Sequence, residues 1–227
     1  MIPLKDSIKS RSLPILVFGL LFVNAVVFLF ELTLQNNLEG FINLYGFVPK
    51  RFFFYSADYT SFFSLSRFLP IFTSMFLHGG FIHFLGNMLF LWVFADNVED
   101  FFGKIRFLIL YFSSGAFACL VQGLTSVKSP VPMIGASGAI AGVLGSYFVL
   151  FPYSRIYTLI PIFIFPLFVE IPAPIFLIYW FFIQFFNGSL ALAGAVWTGV
   201  AFWAHIAGFL CGVLFALFFG KRRRGFY

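Results

Sequence analysis

One serine, two histidines and one asparagine are the residues of this sequence whose types could perform chemistry together. Ser137 lies in the stretch IGASGAIAG, where small residues leave space around its hydroxyl. His205 begins the stretch HIAGFLCG, while His83 and Asn87 stand one helical turn apart in HFLGN. A serine hydroxyl beside an imidazole is the minimal pair of a nucleophile and its base. Donors such as His83 and Asn87 could then stabilise a developing oxyanion.

The elements that must position these residues are membrane spans. The chain of 227 residues is 61% hydrophobic and only 10% charged, with 39 phenylalanines, so its solvent must be lipid. Cys119 and Cys211 both lie in apolar segments and indicate nothing about redox compartment. The basic run Lys221–Arg224 is typical of an anchor at a membrane surface, and we expect no nucleic-acid partner.

The apolar runs predict an all-α polytopic membrane protein. A crossing helix needs about 20 apolar residues, and prolines in the stretch around residues 161–174 place the fifth helix after them. The aromatic connection 35–70 predicts an interfacial structure. We expect one domain at 13–220 between tails at 1–12 and 221–227. The predicted spans are 13–34, 77–95, 106–124, 137–151, 173–187 and 201–220.

Charge sets the orientation. Six spans put both tails on one side, and cytoplasmic segments carry an excess of lysine and arginine. We therefore expect both termini in the cytoplasm. The predicted cytoplasmic charges are Lys5, Lys9, Arg11, Lys104, Arg106, Arg155 and the C-terminal run; the predicted outer charges are Lys50, Arg51, Arg67 and Lys128.

Depth brings the polar residues together. Measured up from the cytoplasmic ends of their helices, Ser137, His205 and His83 stand at about 21, 22 and 20 Å. All three would then lie roughly 10 Å below the outer surface of a core about 30 Å thick. Asn87, one turn below His83, points to the same face. Groups that converge at one level of the membrane indicate a site, because intramembrane polar residues are functional candidates.

Structural alternatives remain for each residue. A histidine inside a span could make only a helix-to-helix hydrogen bond, and Ser137 could be an N-cap. No acidic residue is expected at the depth of the pair, so His205 would be oriented by packing. The acidic residues nearest in sequence are placed at the cytoplasmic rim or before the fifth span; they are Asp96, Glu99, Asp100 and Glu170.

Other classes of site fit less well. The histidines His78, His83 and His205 could hold zinc, but H-E-x-x-H is absent and no carboxylate is expected at their depth. Haem or quinone binding would give Ser137 no role, and a transporter would need a repeat that the sequence lacks. We therefore predict no cofactor and no metal.

The motifs closely resemble those of the rhomboid intramembrane serine proteases over residues 13–220. The second-helix signature is MFLHGGFIHFLGNMLFLWVFADNVEDFFG, which ends in Glu99-x-x-x-Gly103. The nucleophile motif is IGASGAIAG, the base motif is AHIAGFLCG, and Trp180 and Gln184 fit a W-x-x-x-Q pattern in the fifth helix.

The resemblance implies an enzyme that cleaves peptide bonds in or near transmembrane segments of membrane proteins. It implies that Ser137 is the nucleophile and His205 the base, and that His83, Asn87 and the Ser137 amide support the oxyanion. His78 would shape the outer cavity. The resemblance further implies that Tyr179–Phe186 form a gate to the site and that the following loop, 188–200, forms a cap. Small residues that allow close helix approach are Gly135, Gly138 and Gly208.

Two positions depart from the family's pattern. Many members carry Tyr or Phe four residues after the nucleophile, where it packs on the base, but this chain has Ala141. Some carry a Trp-Arg pair where Leu69 and Pro70 stand here, with Arg67 nearby. An inactive rhomboid-like protein that binds transmembrane clients is the alternative function. A short chain with a six-helix core and no added domain resembles prokaryotic members, which implies a prokaryotic plasma membrane.

Overall fold

A bundle of apolar helices dominates the computed structural model, which describes residues 1–54, 65–162, 165–194 and 200–220. Within these ranges five helices are long and apolar enough to cross a membrane, and the helix Ser137–Leu150 is apolar but shorter. The predicted polytopic helical bundle is therefore confirmed. The helices are α1 (Ile15–Thr33), α2 (Leu38–Tyr45), α3 (Pro49–Phe53), α4 (Leu65–Thr73), α5 (Phe81–Phe102), α6 (Lys104–Thr125), α7 (Ser137–Leu150), α8 (Ala173–Leu192) and α9 (Phe202–Phe219).

The short helix α7 lies at the centre of the bundle. It packs against α5, α6 and α9, and almost all of its residues are buried. A helix that is apolar on every side is expected in such an interior position. Its 14 residues rise about 21 Å, which is less than the roughly 30 Å of a hydrocarbon core. Its first residue, Ser137, can therefore lie inside the bilayer while its last residue reaches the opposite surface.

The connection between α1 and α5 docks onto the segment that leads to Ser137. The Phe47 N–H donates to the Met133 carbonyl (3.1 Å) and the Met133 N–H donates back to the Phe47 carbonyl (2.8 Å). Arg51 donates to the Asn43 carbonyl (2.6 Å) and so ties α3 to α2. Part of the predicted interfacial connection, residues 55–64, lies outside the described residues.

Arg67 attaches α4 to the same connection. Its Nε donates to the Phe52 carbonyl (3.1 Å), and its guanidinium carbon lies 5.0 Å from the centre of the Phe52 ring. A guanidinium above an aromatic face is favourable. Although Leu69 and Pro70 depart from the family's pattern, α4 is still attached to the connection, by Arg67 two residues before Leu69.

A three-stranded antiparallel sheet stands at one end of the bundle, and the sequence analysis did not predict it. The strands β1 (Ile2–Asp6), β2 (Arg155–Ile162) and β3 (Phe165–Pro172) lie in that order. Proline disfavours helix, and the aliphatic and aromatic residues around the prolines favour strand. The proline-rich stretch therefore forms a hairpin, and α8 begins at Ala173 as predicted. The N-terminal tail predicted at 1–12 is in part a strand.

Both ends of the described chain lie at the same end of the bundle. Asp6 in β1 accepts a hydrogen bond from the Tyr147 hydroxyl near the C-terminal end of α7 (2.6 Å). A Cβ added at Gly220, just after α9, would lie 3.0 Å from Cδ2 of Leu150, the last residue of α7. This agrees with an even number of crossings. The side of the membrane stays a prediction from charge, and the tail 221–227 lies outside the described residues.

The Glu99-x-x-x-Gly103 pattern has a structural explanation at this end. The Glu99 carboxylate accepts the backbone N–H groups of Leu16 (3.2 Å) and Val17 (2.9 Å), which belong to the unpaired first turn of α1. Gly103 has φ +76° between α5 and α6, a conformation that glycine adopts at little cost. Glu99 therefore caps the start of α1, and Gly103 allows the chain to turn from α5 into α6.

Asp6 makes the stability of this end depend on pH. Burial, together with the nearby charge of Asp96, raises the pKa of Asp6 to about 7, although the hydrogen bond from Tyr147 opposes this shift. A carboxyl with a raised folded-state pKa stabilises the protein fully below its unfolded pKa, and the contribution is lost as pH rises to the folded value. We therefore expect stability from this group to fall between about pH 4 and pH 7.

The variant Asp6→Asn is expected to flatten this pH dependence. Thermal unfolding in detergent, measured from pH 4 to pH 8, should show wild type losing stability relative to Asp6→Asn as pH rises. Glu39→Gln, which changes an exposed carboxyl on α2, is the matched control and should keep the wild-type profile. Parallel profiles for wild type and Asp6→Asn would contradict the assignment.

Candidate active site

Ser137 and His205 meet through a hydrogen bond between α7 and α9. The Nε2 atom of His205 lies 2.8 Å from the Ser137 Oγ, and both side chains are half-buried. The N-cap of α7 is Ala136, and no side chain caps the helix. The N-cap alternative is therefore wrong for Ser137, which is the first helical residue. The Ser137 hydroxyl is hydrogen-bonded to the His205 imidazole instead of to its own helix.

Two residues of α8 contact the His205 ring. The Oε1 atom of Gln184, a buried side chain, lies 2.7 Å from the His205 Nδ1. The Trp180 ring, one turn earlier, packs beside the imidazole with 5.9 Å between ring centres and a tilt of 34°. Ala141 is buried and presents no aromatic ring. The packing that many family members obtain from that position comes here from α8, together with a hydrogen bond that sequence analysis missed.

His83 presents a hydrogen-bond donor to the chain just before Ser137. Its Nδ1 accepts the Gly79 N–H (3.3 Å), so in the neutral ring the proton is on Nε2. A Cβ added at Gly135 would lie 2.7 Å from that Nε2. The donor edge of His83 therefore faces Gly135, two residues ahead of Ser137.

Asn87 adds a second donor beside the first. Its Nδ2 would lie 3.6 Å from a Cβ added at Gly135. This atom is buried and has no hydrogen-bond partner within the described part of the chain. A buried donor without a partner is costly and needs an explanation. A ligand oxygen that accepts from both His83 and Asn87 would provide one.

Gly135 is required at this place for two reasons. Its φ is +122°, which L side chains rarely adopt, and a Cβ would collide with the His83 ring. Its N–H donates to the Ser74 carbonyl (2.8 Å). After this turn α7 begins, and the Ile140 N–H makes the first hydrogen bond back to Ala136 (3.0 Å). The earlier backbone N–H groups of α7 precede any intrahelical acceptor.

Glycines set the separation of α7 and α9. A Cβ added at Gly208 would overlap the carbonyl oxygen of Gly138, while one added at Gly138 would lie 2.7 Å from the Ala118 Cβ on α6, the helix on another side of α7. Gly138 follows Ser137 directly, and Gly208 lies one turn after His205. The close helix contact predicted from small residues is therefore observed, and it brings the Ser137 and His205 side chains within hydrogen-bonding distance.

His78 is buried beside His83, with 5.3 Å between the centres of their rings. Its ring is 2% exposed and packs edge-on against Phe28 and Phe84. Both of its ring nitrogens lack a hydrogen-bond partner within the described ranges. The role of His78 in shaping an outer cavity stays a prediction. Among the described residues, no group of three or more His, Cys, Asp or Glu side chains could hold a metal ion.

Glu31 is a further buried polar residue that the sequence analysis passed over. It is 2% exposed on α1, and each of its carboxylate oxygens lies 3.2 Å from the backbone nitrogen of His78. It thereby holds the turn that precedes α5 and His83. A single carboxylate within the first apolar run was the signal for it.

The fold and the site define a class, a multi-pass membrane protein whose helices enclose a hydrogen-bonded serine and histidine. The sequence model of the Rhomboid domain matches residues 65–222. This chain belongs to the rhomboid family.

Individual relatives support the same family. The chain is 29% identical over 211 residues to Rhomboid protein 1, mitochondrial, of Saccharomyces cerevisiae, which covers 91% of this chain and 54% of the relative. It is 34% identical over 95 residues to Presenilin-associated rhomboid-like protein A, mitochondrial, of Danio rerio, covering 41% of this chain and 25% of the relative. It is 40% identical over 74 residues to Rhomboid protease GluP of Bacillus subtilis, covering 33% of this chain and 14% of the relative. The chain thus spans about half the length of the first relative and less of the others.

Proposed function

We propose that this protein is an intramembrane serine endopeptidase in which Ser137 is the nucleophile and His205 the general base. The observation that carries the proposal is the 2.8 Å contact between the Ser137 Oγ and the His205 Nε2. In the first step Oγ attacks the carbonyl carbon of the scissile peptide, and Nε2 takes the hydroxyl proton. The tetrahedral adduct then collapses, His205 gives the proton to the leaving amine, and an acyl-enzyme remains. Water, deprotonated by His205, releases the second product and restores Ser137.

The oxyanion of the tetrahedral adduct would be stabilised by three donors. They are the His83 Nε2–H, the Asn87 Nδ2–H and the backbone N–H of Ser137. The first two face the same side of Gly135, and the third stands at the start of α7, where a helix favours negative charge. Donors fixed in advance cost no reorganisation when charge develops. The oxyanion would accept a hydrogen bond from the buried Asn87 Nδ2, which has no partner within the described residues.

The substrates we propose are membrane proteins with an unstable segment near the surface. In a regular helix the carbonyl to be attacked is already hydrogen-bonded, so Gly, Pro or another helix-breaking residue near the cut should favour cleavage. The close packing around Ser137 suggests a small residue before the cut. Entry past Tyr179–Phe186 and a cap at 188–200, of which 195–199 lie outside the described residues, remain part of the proposal.

The chain is an integral multi-pass membrane protein. We propose that both termini face the cytoplasm of a prokaryote, with a protease domain at 13–220, on the charge pattern given above. Two of the three relatives described are mitochondrial by name, so a mitochondrial membrane is the alternative location for the same arrangement.

The proposal is tested with a probe that labels activated serines. Wild type in liposomes should react with a fluorophosphonate at Ser137, identified by peptide mass, and should cleave a transmembrane reporter that carries a helix-breaking residue. Ser137→Ala should lose both the label and cleavage. Cleavage that survives Ser137→Ala would rule out the mechanism. A folded wild type that neither labels nor cleaves would favour the inactive client-binding alternative.

A further inference from the structure

Gln184 is a polar side chain on α8, where the Asn187 and Ser189 side chains bond instead to backbone carbonyls within the helix. Gln184 is buried, and its Oε1 lies 2.7 Å from the His205 Nδ1. An amide oxygen can only accept a hydrogen bond. Nδ1 must therefore carry the proton, and Nε2 is left with its lone pair facing the Ser137 Oγ.

We propose that Gln184 is a positioning residue, which fixes the tautomer and direction of His205 so that Nε2 can accept the Ser137 proton. This step rests on the proposed function and adds a third member to the pair. In serine hydrolases with an acidic third residue, a carboxylate holds the base in this way. Among the described residues no carboxylate bonds to His205, and a neutral amide takes that place. Trp180, one turn earlier on α8, packs beside the same ring.

The amide also matters after proton transfer. Once His205 has taken the proton it is a cation, and a hydrogen bond to a charged group is stronger than one to a neutral group. Gln184 therefore stabilises the transition state more than the resting state. An interaction of that kind acts on kcat rather than on substrate binding.

The test compares two replacements of similar length. Gln184→Met keeps the volume but provides no oxygen acceptor, and it should lower kcat by about ten- to a hundredfold while KM changes less than about twofold. Gln184→Glu restores an oxygen acceptor and should recover most of the loss. Asn187→Leu removes an amide from the same helix that bonds to the Ile183 carbonyl (2.9 Å) rather than to His205, and it should keep wild-type kcat.

Separate outcomes distinguish this inference from the proposed function. If wild type cleaves, Ser137→Ala does not, and Gln184→Met retains wild-type kcat, then only the role of Gln184 is overturned. Equal losses in Gln184→Met and Gln184→Glu, with unchanged unfolding temperatures, would also overturn it, because the residue would then act by packing. If Gln184→Met does not fold, kcat of Gln184→Glu within about threefold of wild type supports the role, and a larger loss contradicts it.

Discussion

Alanine at both Ser137 and His205 is expected to slow peptide cleavage no further than alanine at either position alone. Residues that act as one unit show strongly non-additive losses, since removal of either already removes the activated nucleophile. Each single variant should lose on the order of 10³-fold or more in kcat. The hydrogen bond of 2.8 Å between the two side chains is the reason to expect this behaviour.

The measurement is single-turnover cleavage of a transmembrane reporter in liposomes by wild type, the two single variants and the double variant. Ser113→Ala is the matched control and should keep wild-type kcat, because the Ser113 hydroxyl bonds to the Leu110 carbonyl of its own helix (3.3 Å). Losses that multiply in the double variant would mean that Ser137 and His205 act independently. The proposed proton transfer between them would then be wrong.

The helices of this protein could be predicted from sequence because lipid imposes a simple rule. Every backbone polar group inside a bilayer needs an internal partner, so long apolar runs must be helical. For α1 and α9 the ends predicted from the apolar runs therefore agree with the observed helix ends to within two residues. The depth argument worked for Ser137 and His205 for the same reason, because rise per residue in a helix is fixed.

The hairpin and the partner of His205 could not be predicted in this way. The stretch from β2 to β3 is as apolar as a span, and its prolines exclude helix without indicating which strand would pair with it. Its partner β1 lies some 150 residues earlier, in a segment that looked like a tail. The bond from Gln184 to His205 depends on how α8 is rotated against α9. Nothing in the spacing of either helix alone determines that rotation.

A single methyl group at Gly212 is expected to disrupt the contact between α7 and α9. A Cβ there would overlap the carbonyl oxygen of Gly142, and a hydrogen bond from the Ser146 hydroxyl to the Gly212 carbonyl (2.8 Å) resists separation of the helices. Overpacking of a close contact costs about 1–3 kcal/mol.

Gly212 lies two turns from His205 on α9, so a shift of this helix also moves the imidazole away from Ser137. We therefore expect Gly212→Ala to lower the unfolding temperature in detergent and to reduce kcat at least tenfold. Gly19→Ala on α1 is the matched control, because within the described residues no atom beyond the local helix backbone lies within 4 Å of a Cβ added there, and alanine favours helix over glycine. Gly19→Ala should unfold at or slightly above the wild-type temperature with unchanged kcat. If Gly212→Ala behaves like Gly19→Ala, the α7–α9 contact does not set the distance between the serine and the histidine.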